Sequence, residues 1–221
     1  MAKFIDTFSY YYYNFTMTDL QLQRLKKQID FIKEIDKEKF IERQTYLSNG
    51  QRKENDSEHA WHMAIMTLLL SEYSNQKIDV LKTISMLLIH DLVEIDAGDT
   101  YAYDENAKST QAEREEKAAQ RIFNLLPEDQ SKKIYDLWKE FEEQQTPESK
   151  FARTMDNFQP CLLNDATDGK SWVEHQVKLS QILERNKNTA QGSLTLWEFQ
   201  KENFILPNVE KGRIINDQPE N

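Results

Sequence analysis

Five glycines and five prolines are all the turn punctuation that 221 residues carry. A β-sandwich or barrel draws on those residues at its many turns, so their scarcity argues against an all-β fold. Helical spacing fills the chain instead. Thr18 to Gln21 reads as a capping box ahead of Leu22, Leu25, Ile29 and Ile32. A second helix is expected from Asp56 or Ser57 through HAWHMAIMTLLLSEY, and a third from about Asp79 to Asp91. Gly98 then permits a turn, and residues 100–109 read as a polar loop. Thr110 to Glu113 is another capping box, opening a helix that ends near Leu126. Pro127 starts the next, with Ile134, Leu137, Trp138 and Phe141 on one face. Thr146-Pro147 is a cap followed by proline at the first helical position, ahead of SKFARTMDNF. Two further helices fit 171–186 and 193–204. No segment shows period-two alternation, so no strand is expected.

Charge and cysteine usage narrow the function classes. A net charge of −10 repels phosphate backbones and disfavours a nucleic-acid polymer as partner. It leaves room for a small phosphorylated ligand, held by a metal or a few arginines. Cys161 is the only cysteine, which excludes an intramolecular disulfide framework and a cysteine-rich zinc site. No stretch approaches the ~18 apolar residues of a membrane span, and the N-terminus lacks a continuous apolar signal core. The cytoplasm is the expected location, with no membrane partner. Phe4, Phe8, Tyr10 to Tyr13 and Phe15 crowd the first residues. An arm packed on the core is the ordinary reading of such aromatics, and a homodimer contact is the alternative.

The chemistry concentrates in LLIHDLVEIDAGDT, residues 87–100. An apolar helix runs there into His90, Asp91, Glu94, Asp96 and Asp99, and buried charges need a partner. Adjacent residues on a helix point about 100° apart, so His90 and Asp91 converge only at a helix end or bend. Glu94 follows at positions that share their side. His59 lies near the start of the preceding helix, with His62 one turn on as the competing candidate. Alone, His59 reads as a hydrogen-bonded core histidine. Asp156 stands among Phe151, Met155 and Phe158, where a salt bridge to Arg153 or Lys150 is its ordinary explanation. Together they offer two imidazoles and two carboxylates, a donor set suited to a divalent transition metal.

The order His59, His90-Asp91, Asp156 resembles the signature of the HD-domain metal-dependent phosphohydrolases. RKENDSEH (52–59), HDLVEIDAGD (90–99), LLPEDQSKKIYDLWKEFEE (125–143) and KFARTMD (150–156) resemble its HDDC-type and bacterial 5′-deoxynucleotidase branch. The resemblance implies an all-α fold, a compact HD-domain helical bundle with extra N- and C-terminal helices. Residues 1–221 then form one domain. Its core spans about 40–165, with an arm and helix over 1–39 and a helical extension over 166–221. It implies one divalent transition metal ion (Mn, Co, Zn, Ni or Fe) held by His59, His90, Asp91 and Asp156. Glu94 would act at the reaction centre and Asp99 would belong to the site. An upstream arginine helps hold the phosphate; Arg43 matches best, and Arg52 is the alternative. Glu58 would support the first ligand. Gln44 departs from the tryptophan that commonly follows that arginine in the branch.

The implied reaction converts a (deoxy)nucleoside 5′-monophosphate to nucleoside and phosphate. A homodimer is implied too. Two-iron members of the superfamily usually draw extra histidines from between the HD pair and the last aspartate. Residues 92–155 contain none, which favours a single ion. Guanosine tetraphosphate, a cyclic nucleotide or a deoxynucleoside triphosphate remain open as substrates. A non-catalytic helical metal-binding module is the reading outside enzymes. Glu94 and Asp99 beside the ligands speak against that module, since a structural site needs neither.

Overall fold

The computed structural model describes residues 17–99 and 109–218. The aromatic N-terminal residues and most of the expected loop over 100–109 lie outside them. Helices dominate. α1 (Asp19–Ile35) begins at the Thr18–Gln21 capping box that the sequence announces. Its apolar residues nevertheless stay open, and among the described residues only Phe31 of this helix is buried. Arg24 forks to Asp129 at 2.7 and 2.8 Å and ties α1 to the bundle.

A 3-10 turn (Asp36–Phe40) leads into a hairpin that the sequence does not announce. β1 (Glu42–Tyr46) and β2 (Lys53–Asn55) pair antiparallel, Glu42 opposite Asn55 and Tyr46 opposite Lys53. Apolar alternation is missing for a physical reason. The inward residues Arg43 and Glu54 face charged groups rather than a greasy layer.

α2 (Asp56–Leu70) is capped by Asn55, whose Oδ1 accepts the Glu58 amide at 2.9 Å. It buries Asp56, His59, Met63, Met66 and Thr67 at helical spacing. α3 (Val80–Ile89) is capped by Asp79 and buries Met86 and Leu87, while Leu88 remains 46% exposed. The helix then tightens into a 3-10 turn, His90–Val93, with all four residues buried. α4 (Glu94–Ala97) follows and stops at Gly98, whose φ of 74° suits glycine.

α5 (Gln111–Phe123) and α6 (Glu128–Glu143) form a hairpin of helices, α6 ending at Gln144 in the left-handed region. Thr110 precedes α5 without a side-chain cap bond, so the expected box there is absent. α7 (Pro147–Ala166) starts at a Thr146–Ser149 capping box and runs through the middle of the molecule. The two expected C-terminal helices are broken into shorter pieces. These are α8 (Lys170–Glu174), α9 (Leu179–Arg185), α10 (Thr189–Gly192) and α11 (Leu194–Gln200), then a π turn (Lys201–Ile205) and α12 (Leu206–Glu210). The break between α8 and α9 follows from pairing: Lys178 bridges Ile215 in parallel, and Gln176 takes a positive φ.

Two apolar clusters result. One surrounds α7 and runs from Met63 and Leu87 through Phe151 and Met155 to Trp172, Ile182, Ile205 and Ile214. The other lies under α5 and α6 and holds Leu92, Val93, Ile122, Phe123 and Trp138. The 3-10 turn at His90 sits where the two meet. Met86 and Leu87 anchor its entrance in one cluster, and Leu92 and Val93 anchor its exit in the other.

Candidate active site

That anchoring does what adjacent residues on a plain helix cannot. The tightened turn aims both His90 and Asp91 at α2 and α7. His59 of α2, His90 and Asp91 place one donor atom each within 4.8 Å of one another. Asp156 of α7 approaches from the other side, its Oδ1 3.3 Å from His59 Nε2 and 3.8 Å from His90 Nε2. All four residues are buried.

Hydrogen bonds behind the imidazoles fix their tautomers. Gln159 Nε2 donates to Glu54 Oε2 at 2.9 Å, so its Oε1 is an acceptor and takes the His59 Nδ1 proton at 2.9 Å. His90 Nδ1 donates to the Leu87 carbonyl at 2.9 Å. Each ring therefore turns the lone pair of Nε2 toward Asp91 and Asp156, the arrangement in which histidine serves as a ligand. His90 Nε2 is buried without a hydrogen bond, and so is Glu94 Oε2. Two imidazole nitrogens and two carboxylates converging on one buried point make a donor set that fits a divalent ion. The same carboxylates draw a cation to His90 Nε2, and a proton is the simplest one. Burial lowers an imidazole, yet Asp91 and Asp156 overrule it and raise His90 to about 10. Burial with Arg43 nearby takes His59 down to about 4.

The acids outnumber their partners. Burial, with Asp91 and Asp56 beside it, drives the Glu94 carboxyl well above its ordinary range. Burial raises Asp99 as well, against the pull of Arg43. Asp56 rises to about 8 and Glu54 to about 7, both chiefly through burial. Glu94, Asp99, His90, Asp91 and Asp156 line one cavity of about 100 Å³. Through Gln111, Glu115, Glu142, Arg153 and Arg185 it adjoins a cleft of about 760 Å³ between α5, α7 and α9.

The remaining candidates separate clearly. Arg43 Nη1 donates to Asp91 Oδ2 at 2.8 Å and to Asp56 Oδ1 at 3.0 Å, with Glu54 3.7 Å from its Nε. It lines the cavity beside Glu94 and Asp99, with carboxylates around its guanidinium. Arg52 is not brought to the cluster at all. It is 56% exposed and forks to Glu58, which also completes the Asn55 cap. The chain proximity of Arg52 and Glu58 to His59 is spent on each other. His62 lies off the cluster, its Nδ1 3.2 Å from Gln159 Nε2. Asp156 keeps its ordinary salt bridge alongside its place in the cluster: Oδ2 accepts Arg153 Nη1 at 2.9 Å. It also accepts Arg185 Nη2 at 3.0 Å, a partner that sequence reasoning missed. Gln159 was missed too, although a glutamine three residues after Asp156 in an apolar helix was a visible signal.

A helical bundle with a histidine, a His-Asp pair and a distant aspartate converging on one buried point defines a class. The chain belongs to the HD-domain family, whose model, described as "HD domain", matches residues 35–197. Among solved structures, it is similar to a protein described as a predicted metal-dependent phosphohydrolase from Magnetospirillum magnetotacticum MS-1. The two are 40% identical with a TM-score of 0.84, over 90% of this chain and 99% of the other. Curated relatives share the name 5′-deoxynucleotidase HDDC2. The human protein is 34% identical over 52% of this chain but only 54% of its own length. The Dictyostelium discoideum protein is 31% identical over 74% of this chain and 90% of its own.

Proposed function

We propose that this HD-domain phosphohydrolase acts on nucleoside 5′-monophosphates, with deoxyribose preferred, and releases nucleoside and inorganic phosphate. One observation carries the reading: an unpartnered Glu94 carboxyl oxygen is buried beside two imidazole lone pairs and two carboxylates. The 5′-deoxynucleotidase relatives and the phosphohydrolase neighbour supply the substrate class. His59, His90, Asp91 and Asp156 would hold one divalent transition ion, with Mn, Co, Zn, Ni and Fe all compatible. Bound there, such an ion supplies Lewis acidity toward a phosphoryl oxygen and lowers the pKa of water. Arg43, which lines the cavity, would help hold the phosphate, and it keeps Asp91 aimed. Glu94 carries the proton between the attacking water and the leaving 5′-oxygen. Asp99, which lines the cavity, accepts a hydrogen bond from a sugar hydroxyl.

The rest of the reading is coarser. No helix among the described residues is long and apolar enough to cross a membrane. A cytoplasmic location suits a chain whose one cysteine is free and buried. One domain suits an apolar cluster that joins Met63 to Ile214. A homodimer would find Trp61, Ile65, Leu68 and Leu69 exposed along α2.

Phosphate release from a panel of deoxy- and ribonucleoside 5′-monophosphates, with Mn²⁺, Co²⁺ or Zn²⁺ and with chelator, tests the proposal. Metal-dependent release is expected, falling about a hundredfold or more in Glu94→Gln. Release only from guanosine tetraphosphate, a cyclic nucleotide or a deoxynucleoside triphosphate would overturn the substrate class. Silence with no metal uptake would overturn the enzyme.

A further inference from the structure

Three guanidiniums border the acids of the site, and they are not equivalent. Arg43 is 12% exposed and donates to both Asp91 and Asp56. Arg153 is 16% exposed, pairs with Asp156 and Glu142, and lies over the Phe141 ring at 4.2 Å. Arg185 differs in each respect. It is 34% exposed, and among the described residues its hydrogen bonding ends with one oxygen, Asp156 Oδ2. That oxygen already accepts Arg153 at 2.9 Å. The charge of Arg43 and Arg153 is matched by carboxylates; that of Arg185 is matched by half of one.

Position adds to this. Arg185 is the last residue of α9, beyond the HD motifs, yet it lines both the cavity with Glu94 and Asp99 and the larger cleft. Its field reaches Asp99 as well as Asp156. A phosphate monoester carries two negative charges at neutral pH, and planar guanidinium donors match its oxygens in pairs. In a site so rich in carboxylates, a dianion needs a cation that the protein has not already neutralised.

We propose that Arg185 is a further phosphate-binding residue of this site, so that α9 completes the substrate cleft around a phosphate monoester. This rests on the phosphohydrolase reading above. The phosphate then sits between Arg185 and the His90–Asp91 turn, and the organic part of the ester extends along the cleft past Asn157. The Asn157 Oδ1 is buried there without a hydrogen-bond partner.

The test uses the full chain loaded with Mn²⁺, as wild type, Arg185→Gln and Arg185→Lys. Metal content, melting midpoint, steady-state kinetics on a deoxynucleoside 5′-monophosphate and calorimetric titration with inorganic phosphate are read together. Arg185→Gln is expected to weaken inorganic phosphate binding and raise KM about tenfold or more. Metal content and melting midpoint stay at wild-type values, because Arg153 still holds Asp156. Arg185→Lys recovers part of the loss, as a point charge without the fork. Unchanged phosphate affinity in Arg185→Gln overturns the proposal. So does a loss of phosphate binding that only tracks a loss of bound metal, since Arg185 would then serve Asp156 alone. If the wild type releases no phosphate from any monophosphate, the nucleotidase reading falls, and the inorganic phosphate titration still decides the role of Arg185.

Discussion

Glu38 shows what burial does to a single carboxyl in this molecule. It is 7% exposed, accepts the Ser57 hydroxyl at 2.8 Å, and leaves its other oxygen buried without a partner. Burial pushes its pKa above the ordinary carboxylate range. The folded protein therefore holds this proton after the unfolded chain has released it. Stability attributable to Glu38 falls as pH rises through and above the ordinary glutamate range. Glu38→Gln keeps an acceptor for Ser57 and removes the charge. It is expected to raise the melting midpoint at pH 8 by roughly 2–4 °C, the scale of about 1 kcal/mol for a chain of this size. The gain should vanish near pH 4, and a midpoint difference independent of pH would refute it. The same balance explains which site residues the sequence disclosed. His90, Asp91, Glu94 and Asp99 were visible because acids beside an apolar run demand a partner. Arg52 misled because six residues of chain separate it from Glu58, and only the fold shows the two engaged with each other. Arg185 left no local signal; it reaches Asp156 because the chain through α8 brings α9 back against α7.

Elements announced themselves where local chemistry decides them. The capping boxes at Thr18 and Thr146 start helices where the side chains said they would. The hairpin over residues 42–55 stayed hidden because its inward face is ionic, so its alternation carries no apolar signature. The C-terminal breaks depend on tertiary contacts, above all at α10. Gly192 presses its backbone against the Lys150 carbonyl and the Thr154 hydroxyl of α7, where an added Cβ would sit closer than real Cβ atoms approach. Its carbonyl also accepts the Asn75 amide at 2.9 Å. Gly192 has no positive φ, so the requirement is one of space alone. Gly192→Ala is expected to push α10 off α7 at a cost of about 1–3 kcal/mol. Thermal unfolding checks this, and a midpoint within a degree of wild type would show that α10 yields without loss. Because α10 directly follows α9, the variant should also weaken phosphate binding through Arg185.

At the scale of the whole molecule, two apolar clusters grip opposite ends of one short turn, and the acids at their seam repel one another. The bundle is built from spacing that the sequence displays, whereas the seam depends on how α2, α3 and α7 meet, which periodicity does not encode. A seam of lone pairs and raised carboxyls is a defect that a cation repairs, so metal binding and folding are linked. A ligand held only by the folded state stabilises it by RT ln(1 + [L]/Kd), about 2.7 kcal/mol at a hundredfold excess over Kd. For a chain of this size that corresponds to a rise of roughly 5–10 °C in the melting midpoint. Calorimetric scans of chelated protein, with Mn²⁺ or Zn²⁺ then added back, should show that rise. His90→Ala should abolish the rise, while the metal-free midpoint falls through the lost Leu87 hydrogen bond, the lost charge beside Asp91 and Asp156 and the lost packing against Phe141. A rise that survives in His90→Ala would place the bound ion elsewhere on an acidic chain of net charge −10, and His59, Asp91 and Asp156 would lose their assigned role with it.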